Sequence, residues 1–167
     1  SDRWLRDSAV YSEGWALGTL RFVEASGIDA AYANGTLEPA DILLTDGVPA
    51  EIPFVSGIVS LAPATPSSHV PILAQSYGVP FAHVSVSSQT AELQALVGRK
   101  IALRVYNDYF KPNVRVHDVE DQLDEAAIAE ILELKDLPEL AISPMAPHAE
   151  FSVPVAGLQL SDIQFVG

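Results

Sequence analysis

The sequence has no cysteine, and this absence excludes several classes of protein at once. Disulfide frameworks, thiolate zinc sites, iron–sulfur clusters and cysteine nucleophiles all require that side chain. Basic residues are also scarce, with 9 Lys and Arg against 22 Asp and Glu and a formal net charge of −13. Such an acidic chain repels phosphate backbones and anionic lipid surfaces, so we expect neither a nucleic-acid partner nor membrane binding.

Long hydrophobic runs are missing too. No stretch of about 18 apolar residues occurs, which excludes a membrane-spanning helix. The first seven residues contain no initiator Met and no apolar run behind a basic segment, so we expect no signal peptide and a cytoplasmic location. The missing Met and the end at Gly167 suggest a piece of a longer polypeptide that holds only half of a mechanism.

The chain is nevertheless long and apolar enough for a real core. Of its 167 residues 49% are hydrophobic, and a domain of this size buries roughly 70% of the surface of the unfolded chain. Short apolar or alternating runs bounded by Pro and Gly predict buried strands. These runs are residues 17–24, 41–45, 57–61, 79–86 and 100–106, and a short helix is predicted over 89–97, with Ser87 or Ser88 as its N-cap.

The C-terminal part is first acidic and then rich in proline. Nine acidic residues and one Lys lie between Asp118 and Glu139. Asp124 and Glu125 favour a helix start there, and a 3/4-spaced stripe follows it, namely Ile128, Ile131, Leu132 and Lys135. We interpret this segment as a solvated amphipathic helix, with an acidic docking face as the alternative. Four prolines between 138 and 154 are typical of an extended linker.

The most informative stretch runs from Ala64 to Pro80. Ser67 or Ser68 is a suitable N-cap, Pro71 is tolerated only in a first helical turn, and Gly78 suits the residue after a helix end. The pattern therefore places His69 in the first turn of a short helix, on the surface, after the strand around 58–61.

A first-turn histidine has a distinctive environment. The free amides and the positive end of the helix dipole disfavour an imidazolium and favour a bound anion. His69 would thus be held as a neutral nucleophile, and a phosphoryl group on it would be stabilised. From spacing alone, an ordinary surface histidine remains the alternative.

The same stretch resembles the phosphohistidine signature of phosphoenolpyruvate-utilising enzymes, such as pyruvate phosphate dikinase, phosphoenolpyruvate synthase and enzyme I of the sugar phosphotransferase system. That signature reads Gly-Gly-x-Thr-Ser-His-x-x-Ile-x-Ala-Arg and is followed by Gly-Ile/Val-Pro. The matching residues are Ser68, His69, Ile72, Ala74 and the trio Gly78, Val79 and Pro80. The resemblance covers roughly Leu17 to Asn107 and implies an α/β fold, a three-layer β/β/α swivelling domain.

The resemblance also implies a function, that of the phosphocarrier domain of an ATP-dependent dikinase. His69 would accept a phosphoryl group from ATP, with Ser68, Ser67 and Thr65 as supporting hydroxyls, and pass it to pyruvate, another small molecule or a glucan. The fragment itself would hold no cofactor or metal and would not turn over alone. ATP and Mg²⁺ would bind a following ATP-grasp domain.

The chain departs from the signature in three respects, at four positions. Ala64 and Thr65 replace the glycine pair, Ser67 replaces Thr, and Gln75 replaces Arg. The new Cβ atoms crowd a backbone that approaches a phosphate, and the lost Arg removes a bidentate anion partner. Glucan water dikinase similarly lacks the glycine pair. The departures support a second hypothesis, a non-catalytic interaction or regulatory module with the same swivelling fold.

The end of the chain, from Val155 to Gly167, looks like the opening of the ATP-grasp domain of the same dikinases. The expected organisation is thus an N-terminal lead-in over 1–16, the swivelling domain over 17–107, an acidic helical extension over 108–137, and a linker with the start of the ATP-grasp domain over 138–167.

The remaining candidates are weaker. His83 either flanks His69 or is a hydrogen-bonded strand histidine, and a metal site of His69, His83 and Asp46 is a further possibility. His117 and His148 have no partner at ligand spacing. We interpret four aromatic residues as core or edge packing, namely Trp4, Trp15, Tyr11 and Tyr32.

Overall fold

Eight strands form one mixed sheet in a computed structural model of the chain, which describes residues 2–5, 8–85, 87–109 and 111–135. The strands are β1 (Asp2–Leu5), β2 (Ser8–Ser12), β3 (Gly14–Phe22), β4 (Ile42–Thr45), β5 (Gly57–Ser60), β6 (Phe81–Val84), β7 (Lys100–Asp108) and β8 (Lys111–Asp118). The helices are α1 (Ile28–Ala33), α2 (His69–Ser76), α3 (Ser87–Gln94) and α4 (Glu125–Glu133), with a 3₁₀ turn at Ala25–Gly27.

The sheet is nearly closed into a barrel. Its strand order is β1-β8-β7-β3-β4-β5-β6-β2, with β3, β4, β5 and β6 mutually parallel and the other pairings antiparallel. β1 pairs with β8 at one end of this order, and β2, the next strand in the sequence, pairs with β6 at the other end. β2 also lies against β7 and β8. If β1 and β2 are counted as one strand, the barrel-like sheet has seven strands.

The three-layer β/β/α swivelling fold expected from the resemblance is therefore wrong. Residues 8–12, interpreted as part of a lead-in, form a strand that turns the sheet toward closure, and residues 111–118, interpreted as part of an acidic helical extension, form β8. Apolar runs identify where strands occur, but closure depends on pairings between distant segments such as β2 with β6. The result is one curved sheet with few helices instead of two stacked sheets and a helical layer.

Two apolar clusters use the two faces of the central strands. One lines the barrel interior and includes Leu44, Val59, Ala82 and Leu103. The other lies under α1 and α2 and includes Leu43, Ile58, Phe81 and the helical residues Ile28, Val70 and Ala74. β4, β5 and β6 are buried on both faces, and their sequences are mostly apolar without alternation, as is typical of parallel strands covered on both sides.

Gly18 marks a very close backbone approach. A Cβ built on Gly18 would lie 1.9 Å from the carbonyl oxygen of Ala40, so no other residue fits there without movement of the backbone. Beside it, Asp41 is buried, accepts a hydrogen bond from the Glu38 amide at 2.9 Å and pairs with Arg21 at 3.5 Å. This turn therefore packs directly against β3.

The local elements expected from the sequence are present. The five predicted strands correspond to β3, β4, β5, β6 and β7, and the predicted helices to α2, α3 and α4. α3 begins at Ser87, two residues before the predicted start. α4 begins at Glu125, where the acidic pair predicts a helix start, and the Asp124 carboxylate also caps the helix by accepting a hydrogen bond from the Ala127 amide at 2.8 Å.

Residues up to Lys135 form one compact unit. Among the described residues, no helix is both long and apolar enough to cross a membrane. The expected linker, the expected start of an ATP-grasp domain and His148 lie outside the described residues.

Candidate functional site

Three polar side chains form a row at one edge of the parallel strands. Register pairs Thr45 with Ser60 and Ser60 with His83, at the carboxyl ends of β4, β5 and β6. All three residues are buried. They share the face of Leu43 and Phe81, which precede them by two residues and lie under the helices. Crevices outside the carboxyl ends of parallel strands are the usual ligand sites of α/β sheets.

His69 rises from this same edge. The loop 61–68 leaves β5 after Ser60 and leads into α2, whose first residue is the exposed His69. The histidine thus lies at a helix N-terminus, on the surface, after the strand that the spacing indicates. Within the described structure the amides of His69 and Val70 donate to no acceptor, and Pro71 has no amide hydrogen. Two free donors therefore point out of the start of the helix.

Ser68 occupies the N-cap position but does not cap the helix with its side chain. Its hydroxyl donates instead to the carbonyl oxygen of Thr65 at 2.6 Å, and its amide donates to the same oxygen at 2.8 Å. Thr65 therefore contributes its carbonyl group to the turn, while Ser67 is exposed. The arrangement leaves the first-turn amides open.

Two anchors hold the loop that carries His69. The buried Ser60 hydroxyl lies 2.5 Å from the carbonyl oxygen of Ala62 and 3.2 Å from that of Gly47, and it accepts from the Ala62 amide at 3.1 Å. Further along, the Ala64 amide donates to the hydroxyl of Tyr11 at 2.7 Å. The loop is thereby fixed to β5 and to β2.

Gln75 stands at the position where the signature has Arg, and its side chain has a structural partner. Its amide nitrogen donates to the backbone carbonyl of Tyr11 at 2.6 Å. Together with the burial of Val70 and Ala74, this bond fixes α2 against β2 and the core. Gln75 therefore tethers the helix and does not face an anion at its N-terminus.

His83 is a hydrogen-bonded strand histidine, the second of the two interpretations. Its Nδ1 lies 3.0 Å from the carbonyl oxygen of Ser60. Because a carbonyl only accepts, Nδ1 carries the hydrogen in this contact. Asp46, the third residue of the possible metal site, accepts a hydrogen bond from the Ala25 amide at 2.8 Å. No group of three potential ligands occurs in the described part of the chain.

Basic side chains lie on other elements. Across residues 64–69 of the described structure, no Lys or Arg makes a hydrogen bond or an ion pair. Arg99 binds Asp118 and Asp121, each at 2.8 Å. An anion at the start of α2 would therefore meet backbone amides first, and any cation would have to come from a partner.

Three charged groups away from the His69 segment of the chain have shifted pKa values. Hydrogen bonds to Asp118 and Asp121 raise the pKa of Arg99. Desolvation raises the pKa of Asp118, but hydrogen bonds from Arg99 and from the Glu120 amide outweigh it, so the net shift is downward. Burial lowers the pKa of Lys135, whose ammonium lies 4.7 Å from the centre of the Trp15 ring.

Sequence reasoning did not find two of the residues that shape this site. Tyr11 was expected only to pack, and it is indeed buried with its ring 4.9 Å from that of Phe81, but its hydroxyl also holds Ala64. Ser60 appeared only as the polar residue of an apolar run. The role of Tyr11 arises from a contact across 53 positions, which no local pattern signals. The Ser60 hydroxyl bonds Ala62, two residues further on, and the carbonyl of Gly47, 13 positions away.

Comparisons with known proteins give no family. No protein-family model matches the sequence, and no curated protein matches it. Among solved structures, a UPF0107 protein studied by solution NMR is similar, with 13% identity and a TM-score of 0.47 over 72% of this chain and 100% of that one. An MccF-like protein from Bacillus anthracis str. Ames has 10% identity and a TM-score of 0.38 over 66% of this chain and 43% of its own length.

The resemblance to phosphoenolpyruvate-utilising enzymes is therefore wrong as an assignment of family. No protein-family model matches the chain, and the sheet is a nearly closed barrel instead of a three-layer β/β/α arrangement. The match rested on a short stretch around Ser68 and His69, and such a stretch encodes a loop and a helix start without specifying the sheet behind it.

Proposed function

We propose that this chain is a phosphoryl-carrier domain in which His69 accepts a phosphoryl group from ATP bound to a partner domain. The observation that carries the proposal is the exposed His69 ring beside two unpaired amides at the start of α2. Such amides, with the positive end of the helix dipole, favour a dianionic group. The proposal rests on this geometry and does not depend on any family.

In the transfer step, an unprotonated ring nitrogen of His69 attacks phosphorus. A nitrogen–phosphorus bond forms, the bond from phosphorus to the leaving oxygen of the nucleotide breaks, and the shortened nucleotide departs with the electron pair. The domain contributes the nucleophile and the amides. The partner domain contributes Mg²⁺ and basic side chains, because no Lys or Arg of the described residues contacts the His69 loop. In a second transfer, an acceptor nucleophile forms a bond to phosphorus. The nitrogen–phosphorus bond then breaks, and its electron pair returns to the His69 ring.

Access and rigidity both support this role. A carrier ring has to enter two other sites, and His69 is exposed at the end of a loop. Anchors at Ser60 and Tyr11 keep that loop in one conformation, which reduces the entropy lost on docking. The hydroxyls of Ser67, Ser68 and Thr65 lie in the same short segment and are the proposed supporting groups.

The test is to isolate the protein from its native cells at neutral pH and to measure its intact mass and its fragmentation spectrum. We expect a mass increase of one phosphoryl group located on His69, and we expect it to be lost in acid and to survive in base, as a phosphoramidate does. In cells that carry His69→Asn the increase should vanish. Ser67→Ala and Ser68→Ala are the matched controls: the acid-labile group should remain on His69 in both, at a lower level where the lost hydroxyl supports the transfer.

Other results would exclude the carrier role. A label that resists acid, or one that persists in His69→Asn, would move the nucleophile to a serine. If no phosphoryl group is found on the native protein even when phosphatases are inhibited, the chain is a non-catalytic interaction or regulatory module, the second hypothesis from the sequence.

A further inference from the structure

A second surface lies at the opposite end of α2. Three aromatic rings are exposed there, with Phe54 76%, Tyr77 67% and Tyr32 39% accessible. Phe54 precedes β5 and Tyr77 follows α2, so the surface adjoins the amino ends of the parallel strands, whereas His69 lies at their carboxyl ends. Eight helical residues separate the two ends by about 12 Å. A contiguous exposed apolar surface of this kind marks an interaction site.

Two adjoining pockets flank Phe54, and we call them together the Phe54 groove. The larger, of about 470 Å³, is lined only by apolar and aromatic residues, namely Ile52, Pro53, Phe54, Val55, Tyr77 and Val79. The smaller, of about 270 Å³, shares Ile52, Pro53 and Phe54 and adds Ile28, Asp29, Tyr32, Ala33 and Glu51. The first pocket offers burial to an aliphatic or proline side chain, and the second offers negative charge beside an aromatic ring.

The two carboxylates of the smaller pocket are available. Asp29 and Glu51 are exposed, and within the described structure neither makes a hydrogen bond or an ion pair. No Lys or Arg lines either pocket. A cation placed between Asp29 and Tyr32 would gain both Coulomb attraction and interaction with an aromatic face.

We propose that the Phe54 groove binds a short extended segment of a partner protein, which places a proline or leucine in the larger pocket and a Lys or Arg in the smaller one. Aromatic-lined grooves are the usual receptors of proline-rich segments, and a flanking basic residue matches Asp29 and Glu51. The occupant is a basic partner and not a second copy of this chain, because each copy carries a net charge of −13 and a symmetric contact would oppose the same carboxylates.

The test is a titration of the isotopically labelled full chain with two synthetic peptides, followed by nuclear magnetic resonance. One peptide is acetyl-Ala-Leu-Pro-Pro-Arg-Ala-amide, and its matched control has Glu in place of Arg. We expect the Arg peptide to move the amide signals of Phe54, Tyr77 and Asp29, and we expect the Glu peptide to bind about three-fold to five-fold more weakly, as fits exposed charges.

Three variants make the result specific. Phe54→Ser should abolish binding, and Asp29→Asn combined with Glu51→Gln should remove the preference for Arg while leaving weaker binding. Tyr109→Asn is the control, because Tyr109 is an exposed aromatic outside the groove and asparagine tolerates its positive φ of 46°. Each variant is first checked for a native-like spectrum.

The proposal is overturned if both peptides bind equally, if neither binds at millimolar concentration, or if folded Phe54→Ser binds like the parent. Analytical sedimentation then measures whether the chain forms dimers. A dimer that forms with rising concentration and disappears in Phe54→Ser would assign the groove to a second copy of the chain. None of these outcomes depends on phosphorylation of His69, so the peptide-binding proposal and the carrier proposal are tested independently.

Discussion

Replacing Tyr11 by Phe removes one hydroxyl and tests whether β2 holds the His69 loop. That hydroxyl lies 2.7 Å from the Ala64 amide across 53 positions of sequence, and the Tyr11 side chain is only 5% exposed. The ring and its contact with Phe81 are retained, so no cavity forms. Loss of one hydrogen bond to a partly buried amide lowers the free energy of unfolding by about 1 kcal/mol. For a chain of this size that is a fall of about 2–4 °C in melting temperature.

Urea unfolding followed by circular dichroism measures the free energy of unfolding. Hydrogen exchange measures the mobility of the loop, and we expect faster exchange of the Ala64 amide and of residues 61–68. Tyr77→Phe is the matched control, because Tyr77 is 67% exposed and its hydroxyl makes no hydrogen bond within the described part of the chain. It should change the stability by less than about 0.5 kcal/mol. The reasoning is refuted if Tyr11→Phe leaves both the unfolding curve and the exchange of Ala64 at the values of the parent.

Three further substitutions test other features. Gly18→Ala should lower stability by about 3 kcal/mol or more in urea unfolding, because its Cβ would strike a backbone carbonyl at 1.9 Å, whereas Gly27→Ala, with its nearest atom at 3.9 Å, should stay within about 1 kcal/mol. Asp124→Ala should lower stability by about 1 kcal/mol and reduce helical ellipticity, since the cap of α4 is lost, and an unchanged spectrum would contradict the capping role. The pKa of Asp118 is lowered in the fold, so its ion pair with Arg99 stabilises the fold at pH values above the ordinary Asp pKa, and this stabilisation is lost as the pH falls through the pKa of Asp118 in the folded state. Asp118→Asn should therefore make the free energy of unfolding less dependent on pH in the acid range.

Most local structure of this chain was predictable from its sequence. β4, β5 and β6 follow from apolar runs between Pro and Gly, and α2 follows from a serine before its start and Gly78 after its end. The position of His69 was predictable for the same reason. Each of these signals extends over fewer than about ten residues, and the conformation they determine is equally local.

The fold class was not predictable in this way, since it depends on which strands meet. β3 pairs with β4 in parallel and with β7 antiparallel, and nothing in residues 14–22 distinguishes this from a strand inside a layered sheet. The role of Gln75 shows the same limit at one residue. Comparison with the phosphohistidine signature suggests only that Gln75 replaces an Arg that would bind an anion. In the fold, the Gln75 side chain donates a hydrogen bond to the carbonyl of Tyr11 on β2.

α2 connects the two proposed surfaces, and its packing explains why they can act independently. Val70 and Ala74 are buried under one face of the helix, and Gln75 tethers it to β2, so α2 has no freedom to slide or rotate without breaking core contacts. A ligand at Tyr77 therefore has no second position of the helix to favour, and coupling between sites requires two states that bind the ligand differently. If both proposals hold, the rigid helix presents the end that carries His69 and the end beside the Phe54 groove to different partners at the same time.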